Sequence, residues 1–213
     1  MKKYVITILD NPHSLEASER CIDSAKKFGY DVEVFPAITP ANDPRDLFEK
    51  EGLPIKKFEN NEYSRTEPTM SCFLSHYFLW KKAIDSDVPT LILEHDAVFK
   101  STLPEVEVKG VTNYGKPSYG HFEQPPKPGL YSLFSKNGGY MGGAHAYAVT
   151  SQASKVLVEQ AKKTAQPTDI FLNKQTFPRI KEYYPWPVVV DDRVSTVQKE
   201  KGCEAKHNKV VPV

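Results

Sequence analysis

The chain is poor in cysteine: three among 213 residues, at positions 21, 72 and 203. They are far apart, odd in number and without a C-x-x-C spacing, which excludes a disulfide framework and a zinc ribbon and fits thiols kept reduced in a cytoplasm. Long apolar runs are also missing. After Lys2 and Lys3 the first apolar stretch, Tyr4 to Leu9, ends at Asp10. It is too short for a signal-peptide core or a membrane span, so the expected location is cytoplasmic. Charge of one sign is lacking as well: 28 basic against 27 acidic residues leave a formal +1. Such a balance gives no chain-wide attraction to nucleic acid or to an anionic membrane. Finally, no G-x-G-x-x-G and no P-loop lysine motif occurs, which argues against dinucleotide redox enzymes and ATPases.

What is present is an ordinary globular composition, 39% hydrophobic and 26% charged, of a length that fits one domain over 1–213. Residues 3–9 read as a buried strand and 11–29 as a helix capped by Asn11 or Ser14, with Pro12 in its first turn and Gly29 ending it. A second strand follows at 31–35, giving a βαβ unit and hence a parallel start to the sheet. Residues 36–68 read as a long loop with a short helix near Asp46, and 70–84 as a helix apolar around most of its circumference. An apolar strand over 89–99 carries Glu94-His95-Asp96. Residues 100–143, rich in Pro and Gly, show no periodicity, and a stretch of that kind carries function or mobility. A strand at 144–149, a helix at 151–163, a short helix over 169–177 and a strand at 185–192 complete an α/β order of elements.

The chemistry concentrates at the acidic triplet. Ligands of open parallel sheets bind at the carboxyl ends of the strands, and an extended backbone points Glu94 and Asp96 the same way. Two hard oxygen donors on one face suit Mg²⁺ or Mn²⁺, with positions left for phosphate oxygens. A metal-dependent phosphohydrolase would use the same arrangement, and a plain strand end capped by acids would look alike.

SCFLSHYFLW (71–80) followed by LILEHDAVF (91–99) resembles the paired motifs of glycosyltransferase family 25, which includes lipopolysaccharide-type and collagen galactosyltransferases. YVITILDNPHSLEASERC (4–21), YDVEVFPAIT (30–39), GGAHAYAVTSQASKVLVEQA (142–161), PTDIFL (167–172) and VVVDDRVST (188–196) are similar to further segments, in the same order. The chain departs from the pattern at Thr69-Met70-Ser71-Cys72, where members read Glu-x-Gly-Cys, and at His95, where they carry an acid. The resemblance implies a GT-A-like, Rossmann-type α/β fold with a mostly parallel sheet and long loops. It implies inverting transfer of a hexose from a UDP-sugar, helped by Mn²⁺ or Mg²⁺, to a hydroxyl on a glycan, lipopolysaccharide, protein or modified nucleobase. Residues 1–99 would hold the nucleotide-sugar and 100–213 the acceptor. Nucleic acid would enter only as an acceptor, and a relative that binds donor without turnover is the alternative outside catalysis.

By matching positions, Glu94 and Asp96 serve donor and metal, with Asp96 the direct ligand. Ser75, His76 and His145 are donor-site candidates. For His76 the competing reading is a core histidine, for His145 support of its strand, and for His95 packing on the face opposite Glu94. Asp169 is the candidate base that takes the acceptor proton, or else a helix cap; Asp191 and Asp192 compete for the same role.

Overall fold

The computed structural model describes residues 1–59, 64–119, 122, 124–134, 139–190 and 196–197. Asp191 and Asp192 lie outside the described residues.

The N-terminal strand β1 (Lys2–Thr7) leads into helix α1 (Pro12–Lys26), which starts where the Asn11 side chain accepts from His13 N and Ser14 N. That cap satisfies two of the otherwise orphaned N–H groups of the first turn, and Pro12 has no N–H to satisfy. The chain leaves α1 through Gly29 at φ 76°, a conformation that suits a residue without Cβ, and enters β2 (Glu33–Pro36). β1 lies parallel to β2 on one side and to β3 (Thr90–Glu94) on the other. The short helix expected near Asp46 is α2 (Pro44–Glu51), preceded by a 3-10 turn at Pro40–Asn42, and α3 (Thr66–Ile84) begins four residues earlier than its apolar periodicity suggested.

β3 ends at Glu94. His95 and Asp96 form a turn, and the next strand, β4 (Ala97–Phe99), leaves the main sheet to pair antiparallel with β9 (Val188–Val190). The single strand expected over 89–99 is therefore two strands in two sheets. Between β4 and β9 lie β5 (Val111–Asn113), β6 (Gly129–Ser132), β7 (Ala146–Val149), α4 (Ser151–Thr164), the one-turn α5 (Thr168–Phe171) and β8 (Lys181–Tyr184). Here β5, β6 and β8, three or four residues each, went unread, because such short strands carry too few alternations to register as a pattern.

The seven-stranded sheet has the order β2-β1-β3-β7-β5-β8-β6. Its pairings give β1, β2, β3, β5 and β8 one direction and β7 and β6 the other. The sheet is thus largely parallel within a mixed α/β fold, as the resemblance implied. Side-chain alternation sorts the core into two layers. Tyr4, Ile6, Ile92, Tyr147 and Val149 face α3 and α4, while Val5, Leu91, Leu93, Ala146 and Ala148 face Cys21 and Ala25 of α1. Glu94 has the parity of Ile92 and so turns toward α3. His95, in the turn that follows, meets α1 at Ser14.

Candidate active site

Because five strands share a direction, the carboxyl ends of β1, β3 and β5 come to one edge of the sheet. The antiparallel β7 brings its amino end to the same edge. There Glu94 N donates to His145 O (3.0 Å), and Tyr114 N and Gly115 N both donate to Ala146 O (2.9 and 3.0 Å). Glu94, His145 and Gly115 therefore sit side by side, fixed by backbone hydrogen bonds rather than by side-chain packing.

From the α3 side comes a buried polar chain. Trp80 Nε1 donates to Tyr147 Oη (2.8 Å), Tyr147 Oη bonds His76 Nδ1 (2.9 Å), and His76 Nε2 reaches Glu94 Oε1 (3.2 Å). Tryptophan only donates, so the tyrosine oxygen accepts there and its own proton is free for Nδ1. With Nδ1 accepting, Nε2 carries the ring proton and donates to the carboxylate. His76 is 0% exposed and its ring stacks on Tyr147 at 5.7 Å, whereas the Glu94 side chain keeps 31% exposure. Burial, the largest single influence, would raise the Glu94 carboxyl; the hydrogen bond from His76 and the electrostatic influence of His76, His145 and His95 together outweigh it and hold the group below its ordinary value. His76 is thus a core histidine that reaches the site through Glu94.

His145 is 1% exposed, and burial pushes its ring down to about 4, so it is neutral at physiological pH. Its Nε2 has no hydrogen-bond partner among the described residues. A Cβ on Gly115 would lie 2.5 Å from that nitrogen, and one on Gly143 would lie 3.1 Å from Nδ1. Two glycines therefore make room for this ring. Ser75 serves the fold: its hydroxyl donates to Ser71 O (2.9 Å) and accepts from Ile38 N (2.9 Å), tying α3 to the loop after β2. His95 Nδ1 and Ser14 Oγ share a hydrogen bond (2.9 Å) on the α1 face, away from His76 and Glu94, and Ser14 Oγ also accepts from Ile8 N.

Asp169 is not a cap. Pro167 occupies the N-cap position of α5, and Asp169 is the second residue of the helix. Its carboxylate accepts from Tyr119 Oη and from Ile170 N (2.8 Å). Burial raises its pKa, those hydrogen bonds oppose the rise, and the charge of Glu94 adds to it. Burial thus outweighs the lowering that a helix N-terminus gives a carboxylate. The same coupling places Asp169 and Glu94 within electrostatic reach of one another, with Cys72 feeling both and Asp96 besides.

For Mn²⁺ or Mg²⁺ the donor type fits: Glu94 and Asp96 are half-buried carboxylates at the strand end, and both offer hard oxygens. The alternation argument for their convergence does not carry over, because the extended backbone stops at Glu94 and Asp96 belongs to the turn. Among the described residues, the group of three candidate ligands that closes up is Cys72, His76 and Glu94, whose donor atoms all lie within 4.8 Å of one another. Cys72 was visible in the sequence four residues before His76, a spacing that shares a helix face. Tyr119, Tyr147 and Trp80 gave no comparable signal.

The model of glycosyltransferase family 25 (LPS biosynthesis protein) matches residues 1–113. No curated protein gives a significant match. Among solved structures, the chain is similar to the apo-form glycosyltransferase GlyE of Streptococcus pneumoniae TIGR4, with a TM-score of 0.43 and 12% identity. That match covers 85% of this chain and 45% of GlyE, so the chain spans less than half the length of that protein. It is also similar to the CTP:phosphocholine cytidylyltransferase LicC of Streptococcus pneumoniae, with a TM-score of 0.36 and 10% identity over 88% of this chain and 91% of that one. No helix among the described residues is long and apolar enough to cross a membrane.

Proposed function

The chain belongs to glycosyltransferase family 25, and on that premise we propose that it transfers a hexose, with inversion, from a UDP-sugar to a hydroxyl of a glycan acceptor. The observation that carries this reading is that Glu94 and Asp169 lie within electrostatic reach of one another, with their carboxyl groups shifted in opposite directions. Glu94, kept ionised by His76, suits the side of the site that holds cationic charge. Asp169, raised by burial, suits the side that must accept a proton. Two carboxylates driven apart in this way divide the labour that a direct displacement needs.

In the proposed reaction Asp169 takes the proton from the acceptor hydroxyl as that oxygen attacks the anomeric carbon. Tyr119 donates to Asp169 and orients the carboxylate. Asp96, with Glu94, would hold Mn²⁺ or Mg²⁺, and such an ion supplies neutralisation of the departing diphosphate. The Trp80–Tyr147–His76 chain fixes Glu94 so that its position survives donor exchange. His145, neutral and set between two glycines, lies buried behind Glu94, so its part in the reaction is to support that strand end.

The test is a thermal-shift panel of nucleotide-sugars with and without Mn²⁺. A UDP-sugar at 100 times its dissociation constant is expected to add about 2.7 kcal/mol, dependent on metal. Asp96→Asn should fold normally and lose most of that gain. Equal stabilisation by simple phosphate esters, followed by their hydrolysis, would instead identify a phosphohydrolase. Metal-dependent donor binding with no transfer to any glycan would identify a donor-binding module without turnover.

A further inference from the structure

Three observations around Cys72 point beyond the sugar-transfer reading. The Cys72 thiol, the His76 imidazole and a Glu94 carboxylate oxygen lie within 4.8 Å of one another. Cys72 and His76 are four residues apart on α3, the spacing by which a single helix turn presents two ligands to one ion. The third ligand comes from a different element, the end of β3. Cys72 and Glu94 are both partly exposed, so an ion has a way in, whereas His76 is fully buried and cannot swing away.

We propose that Cys72, His76 and Glu94 form a site for a thiophilic divalent cation of the zinc class. Sulfur, imidazole and carboxylate are the donors that such an ion takes, and three protein ligands leave its fourth tetrahedral position open. Ligand bonds of this kind put donor atoms about 3.3–3.8 Å apart, so the group must contract by about 1 Å. A change within the side-chain torsions of Cys72 and Glu94 supplies that distance while α3 and β3 stay in place. The outer-shell partner is in place: metal binding at Nε2 moves the ring proton to Nδ1, and Tyr147 Oη, 2.9 Å away, then accepts from Nδ1 with its second lone pair instead of donating to it. The ligands differ from those of the proposed catalytic ion, because Asp96 is not among them. Glu94 is shared, so a zinc-class ion here withdraws that carboxylate from the Mn²⁺ or Mg²⁺ site and acts as a competitor.

Co²⁺, titrated into the full chain without Mn²⁺, Mg²⁺ or nucleotide, reads the site directly through the thiolate-to-cobalt charge-transfer band. The band should saturate at one ion per chain, persist in Asp96→Asn and in Cys203→Ser, and vanish in Cys72→Ser. Zn²⁺ should displace the cobalt, and Cys72→Ser should weaken Zn²⁺ binding by about 100-fold or more, beyond the usual effect of an outer-shell change. On the wild-type chain, Zn²⁺ should also protect Cys72 from alkylation, read by mass spectrometry, which requires no substitution to fold. A band that survives in Cys72→Ser, or a Cys72 alkylated at the same rate with and without Zn²⁺, overturns the proposal. These readouts involve no sugar donor, so they stand or fall separately from the proposed transfer reaction.

Discussion

Glu94 at the end of β3 and Glu182 in β8 are glutamates on strands of one sheet, yet the first is held below its ordinary pKa and the second is pushed up to about 7. Both are hydrogen-bonded. Glu182 accepts from Phe134 N (3.0 Å) and Trp186 Nε1 (2.7 Å), donors that ease the charged form without compensating its burial at 1% exposure. Glu94 receives a histidine N–H and keeps a third of its surface in contact with water. The difference teaches that the count of hydrogen bonds does not set the charge state of a buried carboxyl. Residual hydration and the nature of the donor set it. The half of the sheet that begins the chain is built to hold a negative charge at its edge; the later half hides one inside an aromatic cluster, where Trp186 packs on Phe122, Phe134 and Tyr184.

Asp169 is where this contrast meets chemistry, and it carries the largest expected effect. Asp169→Asn keeps the shape of the side chain and should leave fold and donor affinity intact while turnover drops by about 10²–10⁴-fold. Donor binding measured by calorimetry beside single-turnover rates separates the two. Near-normal turnover would remove Asp169 from the reaction and shift attention to Asp191 and Asp192.

A second measurement sharpens the contrast through pH. The folded state holds the Glu182 proton more tightly than the unfolded chain does, so it binds more protons between the ordinary value of 4.5 and about 7. Its contribution to stability is therefore fully present below that window and falls by about 3 kcal/mol as pH rises through it. Urea unfolding across this range should show that slope flattened in Glu182→Gln. An unchanged slope in the variant would mean that Glu182 is already ionised in the fold.

The smallest effect expected, about 2 kcal/mol of destabilisation, comes from His76→Asn, which leaves Tyr147 and Glu94 without their shared partner. The sharper consequence is electrostatic. Without its histidine, Glu94 should titrate upward toward the behaviour of Glu182, which carboxyl-directed NMR or infrared spectroscopy can follow. If Glu94 does not move, its low pKa comes from solvent and not from His76, and the contrast between the two glutamates reduces to exposure.

How much of this was legible in the chain depends on whether the signal was local. Asn11 and Pro12 at the start of α1 are written in adjacent residues, and the structure keeps both roles. The apolar circumference of residues 70–84 marked α3 as deeply packed, and the strand before the acidic triplet ended with Glu94 at the sheet edge. The turn at His95–Asp96 was not legible, because alternation continues through 97–99 and only pairing with β9, some ninety residues on, pulls that segment out of the main sheet. Asp169 could be read as a cap or a base from its neighbours. Its burial, and the Tyr119 hydroxyl that reaches it from fifty residues away, exist only in the folded chain.

The sequence by itself determined the βαβ opening, the identity of the family and the residue types gathered at the candidate site, because capping, periodicity and motif order act over a few residues and need no knowledge of what packs nearby. Tertiary structure alone decided which carboxyl is charged, which histidine sits in the core, and that Cys72 shares a cluster with His76 and Glu94. Those properties depend on distance and hydration, and both are set by elements far apart in the chain meeting at one edge of a sheet.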